Sequence, residues 1–414
     1  MTQSPFKRTL DTPATFPGDL HGCMQQLRGA LTELLASVGD DPRKPQELSR
    51  RLGLNKNLAW KACKIINSED VLSSVQHVPG AGGIKILLKA FQDSDAPAAS
   101  IDAVRAAMEE FADMVRVHVG DRANLQLYVT SWQPEGVHAD ELGDKRRLAY
   151  QGNSAIWGVQ ARLGFALRLL APNVEDPQRA DMAMIGGLSG FSRLRPTASW
   201  PVLQVQVIGA DVSSGGQPGV PIDPDYTGEG PPLIRSHCSD PIPSTRTIVE
   251  AESTTYEICE GPVGNTAALD LTFGHVLRGN VPIHDEAPGA VGEHYCRVDT
   301  PLEAVQFDLL VHRDLPFELP PKLVTYSRLH DKVSFPLSEA SRFHLPGITR
   351  VQELGSHPPV VASPLLPDYA TLVAAGCRAI GHELDAFRGY RVTLSYPPMP
   401  VTLVMYHPLG SSKA

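Results

Sequence analysis

The residues of this chain that are best suited to contact a charged partner are basic and lie close together near the N-terminus. Between Arg43 and Lys64 the sequence has seven Lys and Arg residues and one Asp or Glu, whereas the whole chain of 414 residues carries a net charge of −9. Lysine and arginine pair with phosphate groups, and lysine and asparagine also form hydrogen bonds with the edges of bases. The local excess indicates a confined contact with nucleic acid and argues against coating of nucleic acid by the whole acidic chain.

Two short helical patterns are expected to position these residues. Pro45 suits the first position of a helix, where its missing N–H group would have no partner in any case. Gly53 is the residue type expected where that helix ends in a left-handed conformation, and Asn55 is a good N-cap for a second helix. In the second helix small and apolar residues share one face, so a polar face remains for a partner. The residues predicted to point outward are Lys56, Asn57, Trp60, Lys61 and Lys64.

This pattern, "PQELSRRLGLNKNLAWKACKI", resembles the helix-turn-helix of bacterial DNA-binding proteins. The resemblance implies that the second helix, Asn55 to Asn67, enters the major groove of double-stranded DNA, commonly as part of a dimer that reads two half-sites. It also implies two groups of contact residues. Contacts with bases or sugars are expected from Lys56, Asn57, Trp60 and Lys61, and contacts with phosphates from Arg43, Lys44, Arg50, Arg51 and Lys64. The alternative is a helical hairpin whose basic residues are only solvated.

A glycine-rich turn follows at "VPGAG", residues 78–82. With apolar residues before and after it at helical spacing, the turn resembles the helix-hairpin-helix motif, whose glycines offer backbone N–H groups to a phosphate at the start of a helix. The resemblance implies this role for Gly80 and Gly82, and it is partial, because Ile86 stands where the family usually has a small residue. Two alternatives are a β wing, formed by "VLSSVQHV" and "IKILL" around a glycine tip, and a plain glycine turn in a helical domain.

Composition and periodicity divide the chain into three regions. Residues 1–92 hold 12 Lys and Arg against 8 Asp and Glu, a net charge of +4, so the other 322 residues carry −13. Residues 1–92 are predicted to form a helical DNA-binding domain. Residues 93–195 are predicted to form a helical middle region, with patterns from about Ala139 to Leu170 and at "QRADMAMIGGLSGFSRL". Residues 196–414 are predicted to form a mostly antiparallel β domain with a C-terminal helix, which gives the α+β class.

Side chains of the metal-binding types gather between His275 and Cys296. His294 and Cys296 would lie on the same face of a strand, and His284 could return to them across a loop, and zinc takes such nitrogen and sulfur ligands. Ordinary loop and core-edge residues are the competing interpretation, because the spacing matches no metal family. The sequence has no phosphate loop, no GxGxxG motif after a strand and no GxSxG elbow. We therefore predict no catalytic residue, no metal and no cofactor.

Together these features predict a DNA-binding protein that acts as a transcription regulator rather than an enzyme, with an acidic body for sensing or oligomerisation. The expected partners are double-stranded DNA, further copies of the chain and a small-molecule effector. The sequence has no run of eighteen apolar residues and its six cysteines form no CxxC pair, so a cytoplasmic protein without a membrane span is expected. Two alternatives stay open: a self-assembling structural protein, and a metal-dependent enzyme that uses the His275–Cys296 region.

Overall fold

The computed structural model divides the chain into two compact units, Met1–Val137 and His138–Ala414. The residues that it describes are 15–39, 44–68, 74–132, 139–206, 219–228, 230–250, 253–285, 287, 289–329, 344–345, 349–356 and 358–410. None of the helices among these residues is long and apolar enough to cross a membrane. The division after Val137 differs from the predicted domain boundaries, which were placed after residues 92 and 195.

The described residues of the N-terminal unit form helices and turns. The helices are α1 (Phe16–Ser37), α2 (Pro45–Arg51), α3 (Lys56–Asn67), α4 (Ala81–Gln92), α5 (Ala98–His118) and α6 (Arg122–Trp132). The core lies between α1 and α5, whose inward residues recur every three or four positions. Leu20, Leu27 and Leu31 of α1 have no exposed surface, and they share this core with Val104 and Phe111 of α5.

The described residues of the C-terminal unit form a helix followed by the strands of three β-sheets. Its helices are α7 (Ala139–Trp157) and α8 (Tyr369–Ile380), and its strands are β1 (Val159–Pro172), β2 (Arg179–Arg193), β3 (Trp200–Gln206), β4 (Val220–Pro221), β5 (Thr245–Val249), β6 (Ser253–Ile258), β7 (Leu269–Pro282), β8 (Val291–Val298), β9 (Leu302–His312), β10 (Lys322–Ser327), β11 (His344–Leu345), β12 (Gln352–Ser356), β13 (Phe387–Ser395) and β14 (Val401–Pro408). The sheets have the orders β12-β13-β9-β1-β2-β7-β4, β11-β10-β14-β8 and β3-β6-β5. Paired strands are antiparallel except β1 and β9, which are parallel.

The seven-stranded sheet is covered on both faces. On one face Leu167 of β1 shares a core with Leu372 of α8. On the other face Leu170 of β1 shares a core with Leu403 of β14, which belongs to the four-stranded sheet. Helices lie mainly in the N-terminal part of the chain, and mostly antiparallel sheets lie in the C-terminal part. The predicted α+β class is therefore confirmed, as is the amphipathic C-terminal helix, α8.

The structure overturns the prediction of a helical middle region from residue 159 onward. Helix α7 ends at Trp157, Gly158 has a φ of +76°, and the chain then forms β1 and β2 instead of the expected helices. Both strands lie inside the sheet and are mostly buried on both faces. A strand in such a position carries apolar residues at nearly every position, so periodicity alone does not distinguish it from a buried helix.

Candidate nucleic-acid interface

The turn between α2 and α3 has the geometry that the sequence predicts. Gly53 adopts the left-handed conformation with a φ of +64°. The Leu54 N–H donates to the Ser49 carbonyl at 3.0 Å, and the Ser49 hydroxyl donates to the Leu54 carbonyl at 2.7 Å. Asn55 caps α3, because its side-chain oxygen accepts a hydrogen bond from the Asn57 N–H at 2.8 Å. These bonds fix the direction in which α3 leaves the turn.

Helix α3 has one buried face and one exposed face. Ala59 and Ala62 have no exposed surface, and their small side chains allow α3 to pack closely against the rest of the unit. Cys63, Ile65 and Ile66 complete the buried face. On the opposite face Lys56, Asn57, Trp60 and Lys64 are exposed and Lys61 is half-buried. The structure therefore places the five predicted contact residues of α3 outside the core, as expected.

Lys64 and His77 lie against Trp60, and Lys61 is close enough to His77 to affect its pKa. We call these residues the Trp60 cluster: Trp60, Lys61, Lys64 and His77. His77 lies in the short 3₁₀ turn Val75–His77 and packs edge-on against Trp60, with the ring centroids 5.0 Å apart. The Lys64 ammonium lies 5.8 Å from the Trp60 ring centroid. Burial lowers the pKa of His77, and the charges of Lys64 and Lys61 lower it further. Among the residues that the structure describes, neither lysine pairs with a carboxylate, so the cluster carries positive charge that an anion can neutralise.

The glycine-rich turn leads directly into α4, with Gly80 as the N-cap. The Arg122 guanidinium holds the turn from behind by donating to the carbonyls of Pro79 at 2.9 Å and Val78 at 2.5 Å. The β wing is therefore wrong, because residues 81–92 are helical. The glycine turn that opens a helix is as expected, but the described segment before it is a 3₁₀ turn, so the likeness to a helix-hairpin-helix stays partial.

The start of α4 lies beside α3. A Cβ atom added at Gly83 would lie 3.5 Å from the Leu58 side chain, which belongs to α3. Gly80 and Gly82 are exposed, and a Cβ at Gly82 would meet no atom within 4 Å. The first N–H groups of a helix lack partners inside the helix and carry partial positive charge. The two predicted glycines are thus open to solvent next to α3.

The remaining residues predicted to contact phosphates differ in their surroundings. Arg43 lies outside the described residues, and Arg50 is exposed. Lys44 pairs with Glu47 at 3.3 Å, and because both side chains are more than half exposed, this pair holds the lysine only weakly. Arg51 donates through Nη1 to the Val38 carbonyl at 2.7 Å, at the end of α1. Arg51 therefore has a structural role that the sequence pattern does not reveal.

The sequence pattern also misses His77 and Arg122 as members of this region. His77 carries no periodic or motif signal, and only its contact with Trp60 places it beside the α3 lysines. Arg122 begins α6, about forty residues after the turn that it holds. Both contacts depend on how the helices pack, which single-sequence patterns do not report.

The candidate metal ligands do not come together into a metal centre. His294 and Cys296 share the buried face of β8 as predicted, but His294 Nε2 lies 3.3 Å from Nε2 of His407, and burial raises the pKa of Cys296 to about 12. The backbone of His284 instead forms an isolated β-bridge with Gly410. In the part of the chain that the structure describes, no three His, Cys, Asp or Glu residues are grouped so as to hold a metal ion. The buried histidine pair was not foreseen.

Comparison of the chain with protein-family models, with curated proteins and with solved structures found no match in any of the three. What the protein does must therefore be inferred from the geometry and the charges of its own residues, foremost those of α2, α3 and the start of α4.

Proposed function

We propose that this protein is a transcription regulator that binds double-stranded DNA through the exposed face of α3. The observation that carries the proposal is the Trp60 cluster, in which an exposed aromatic ring lies beside basic side chains that pair with no described carboxylate. A helical bundle needs no such face for its own stability, since Lys61 and Lys64 raise the electrostatic free energy of each other. Phosphate groups at the same place would lower it.

The size and the composition of α3 suit a major groove. A helix of 12 residues is about 18 Å long, and a groove about 12 Å wide admits an α-helix. Asn57 and Lys61 carry the hydrogen-bond donors and acceptors that read base edges, and Trp60 offers a flat surface to a sugar or a base. In the sequence, Arg50 precedes this group and Lys64 follows it, and we assign both to contacts with phosphates. The exposed N–H groups near Gly80 and Gly82 add a further phosphate contact.

The proposal assigns sensing or oligomerisation to the C-terminal unit. That unit carries most of the net negative charge of the chain, so it does not bind DNA itself and keeps the protein from coating DNA without sequence preference. Regulators of this class commonly act as dimers on two half-sites.

The test is a salt titration of DNA binding with a triple variant, Lys56→Ala, Lys61→Ala and Lys64→Ala, in the full chain. Fluorescence anisotropy on random-sequence duplex DNA gives the affinity at each salt concentration. Each lost phosphate contact should reduce the slope of log K against log salt by about 0.9, and so by up to about 2.7 for three contacts. The matched control is Lys145→Ala, Arg147→Ala and Lys322→Ala, which removes the same charge from exposed positions in the C-terminal unit.

The control variant should bind with the slope of the unchanged protein. If the two variants lose affinity equally, only net charge matters and α3 is not the contact surface. If the α3 variant keeps both affinity and slope, the helices are a plain bundle and the proposed function is wrong.

A further inference from the structure

An arginine in the C-terminal unit is held between two sheets without a carboxylate partner. Arg168 lies on β1, and its Nη1 donates to the carbonyls of Leu167 and Ile185, both at 3.1 Å. Its Nη2 donates to the Tyr295 carbonyl on β8 at 2.9 Å. Among the described residues no Asp or Glu lies within ion-pair distance of the guanidinium. Arg168 is therefore a fixed cation whose contacts are neutral carbonyl groups.

Such a cation is unusual because charge is costly to remove from water unless an opposite charge compensates it. Burial lowers the pKa of Arg168, but a guanidinium stays protonated in proteins. Another arginine of the same unit, Arg391, has a carboxylate partner that compensates its charge. It donates to Asp308 through Nε at 2.9 Å and Nη2 at 2.7 Å. Arg168 has five N–H donors, of which the three carbonyl bonds use three. Donors thus remain for a partner that the described protein residues do not supply.

The side chains next to Arg168 are apolar or neutral. Arg168 pairs with Met184 across β1 and β2, and Met184 pairs with His275 across β2 and β7, so the three side chains follow one another on the same face of the sheet. All three are half-buried, and so is Met182, two residues along β2 on that face. Burial lowers the pKa of His275 to about 4, with a further contribution from Arg168, so His275 is neutral at pH 7. A bound anion would therefore neutralise the charge of Arg168, and Met182 and Met184 would provide apolar contact for it.

The row is also reachable from solvent. Arg168 lies on the sheet face that Leu170 shares, towards the four-stranded sheet, and Tyr295 belongs to β8, the edge strand of that sheet. Arg168, Met184 and His275 all keep part of their surface exposed, so the row is in contact with solvent.

We propose that the row formed by Arg168, Met184 and His275 binds a small organic anion with a carboxylate attached to an apolar body. A guanidinium pairs with a carboxylate through two parallel hydrogen bonds, which gives orientation as well as attraction. The flexible methionines provide apolar contact that adapts to the shape of a ligand. Small-molecule sites generally combine an apolar lining with a few placed polar groups, which this row does. The inference does not depend on DNA binding by the N-terminal unit.

The test uses the full chain and sodium benzoate as the probe, measured by isothermal titration calorimetry at constant ionic strength. Benzyl alcohol has nearly the same apolar body without the charge, and inorganic phosphate has charge without an apolar body. Benzoate should bind with a dissociation constant of about 1 mM or below, and the other two at least about tenfold more weakly. Equal binding of benzoate and benzyl alcohol, or no binding of benzoate, would overturn the proposal. Binding of phosphate as tight as that of benzoate would overturn the assignment of an apolar ligand.

A variant pair locates the site without disturbing the carbonyl bonds of Arg168. Met184→Glu puts a carboxylate next to the guanidinium of Arg168. This carboxylate should pair with the guanidinium and repel the carboxylate of benzoate, and so weaken benzoate binding at least about tenfold. Val249→Glu adds the same charge on β5, in the three-stranded sheet, where the side chain is 76% exposed, and it should leave binding unchanged. Arg168→Lys keeps the charge and loses the two-pronged geometry, so it should weaken binding as well. Equal benzoate affinity in the Met184→Glu and Val249→Glu variants would show that benzoate binds elsewhere.

Discussion

At the scale of single residues, the Trp60 cluster should couple the proposed DNA binding to protonation of His77. His77 has a lowered pKa in the free protein because it is partly buried and faces Lys64 and Lys61 of α3. Phosphates that neutralise the lysines also favour the charged imidazole, so the pKa of His77 should rise when DNA binds. A pKa that is higher in the complex means that binding takes up a proton, and affinity therefore increases as the pH falls through this range.

We expect DNA affinity to rise between pH 8 and about pH 6 in the unchanged protein, and this rise to be smaller in His77→Gln. Anisotropy titrations at constant ionic strength measure both. His21→Gln is the control, because His21 is exposed on α1 and its ring bonds only with Gln25 in the described residues. The same pH dependence in all three proteins would exclude His77 from the interface.

Residue types at the candidate interface were largely predictable, whereas their partners were not. The spacing of Ala59, Ala62 and Cys63 was enough to separate the buried face of α3 from its exposed face, because one helix period decides both. The bond from Arg51 to Val38 and the contact between His77 and Trp60 join separate elements. Such contacts depend on packing angles that the local sequence does not contain.

At the scale of elements, two glycines of the N-terminal unit have opposite conformations and should respond oppositely to alanine. Gly53 has a φ of +64°, which an L side chain rarely adopts, whereas Gly82 lies in the first turn of α4 with open space around it. Gly53→Ala should lower the free energy of unfolding by about 1 kcal/mol. Gly82→Ala should raise it by about 0.5 to 1 kcal/mol, because alanine restricts the unfolded chain and favours the helix.

Urea denaturation followed by helical circular dichroism measures these changes, and DNA binding gives a second readout. If the α4 N–H groups approach a phosphate closely, the methyl group of Gly82→Ala should weaken DNA binding despite the added stability. Stability and affinity rising together in this variant would remove the glycine turn from the interface.

Most of the elements were predictable from the sequence pattern, whereas β1 and β2 were not. Helix α8 and the strands β13 and β14 follow the sequence pattern, and so do α1 to α3. The strands β1 and β2 do not, because α8 covers one face of their sheet and the four-stranded sheet covers the other. Apolar residues occur on both faces of these two strands, and this removes the alternation that would have identified them as strands.

At the scale of the whole molecule, the basic character proves more local than the first 92 residues alone suggest. The structural unit extends to Val137, and its sequence has 15 Lys and Arg against 16 Asp and Glu, so the unit is nearly neutral. Acidic residues on α5, such as Glu109 and Glu110, balance the basic ones on α2 to α4. The proposed contact with DNA should therefore be confined to one region and involve few phosphates.

The salt dependence of the full chain should reflect this small number. If Lys56 and Lys61 neutralise phosphates in addition to Lys44, Arg50 and Lys64, one copy gives a slope no steeper than about −4.5, and two copies on two half-sites give a slope no steeper than about −9. Sedimentation velocity with and without a duplex determines how many copies are bound. A slope much steeper than about −9 with only two copies bound would mean that a larger surface than the α3 region touches DNA.

The parallel pairing of β1 with β9 also determines the order in which the two units acquire their structure. Ala161 of β1 pairs with Leu302 of β9, so the centre of the large sheet joins segments that are far apart in the chain. Closing such a long loop is slow, whereas helices that contact their neighbours in sequence form quickly. During synthesis the N-terminal unit emerges first and has all of its partners at once. The growing chain can therefore form α3 early, and β1 and β2 can pair with each other, while the edge of β1 that receives β9 has no partner yet. Until β9 is synthesised, this edge is open to pairing with a strand of another chain.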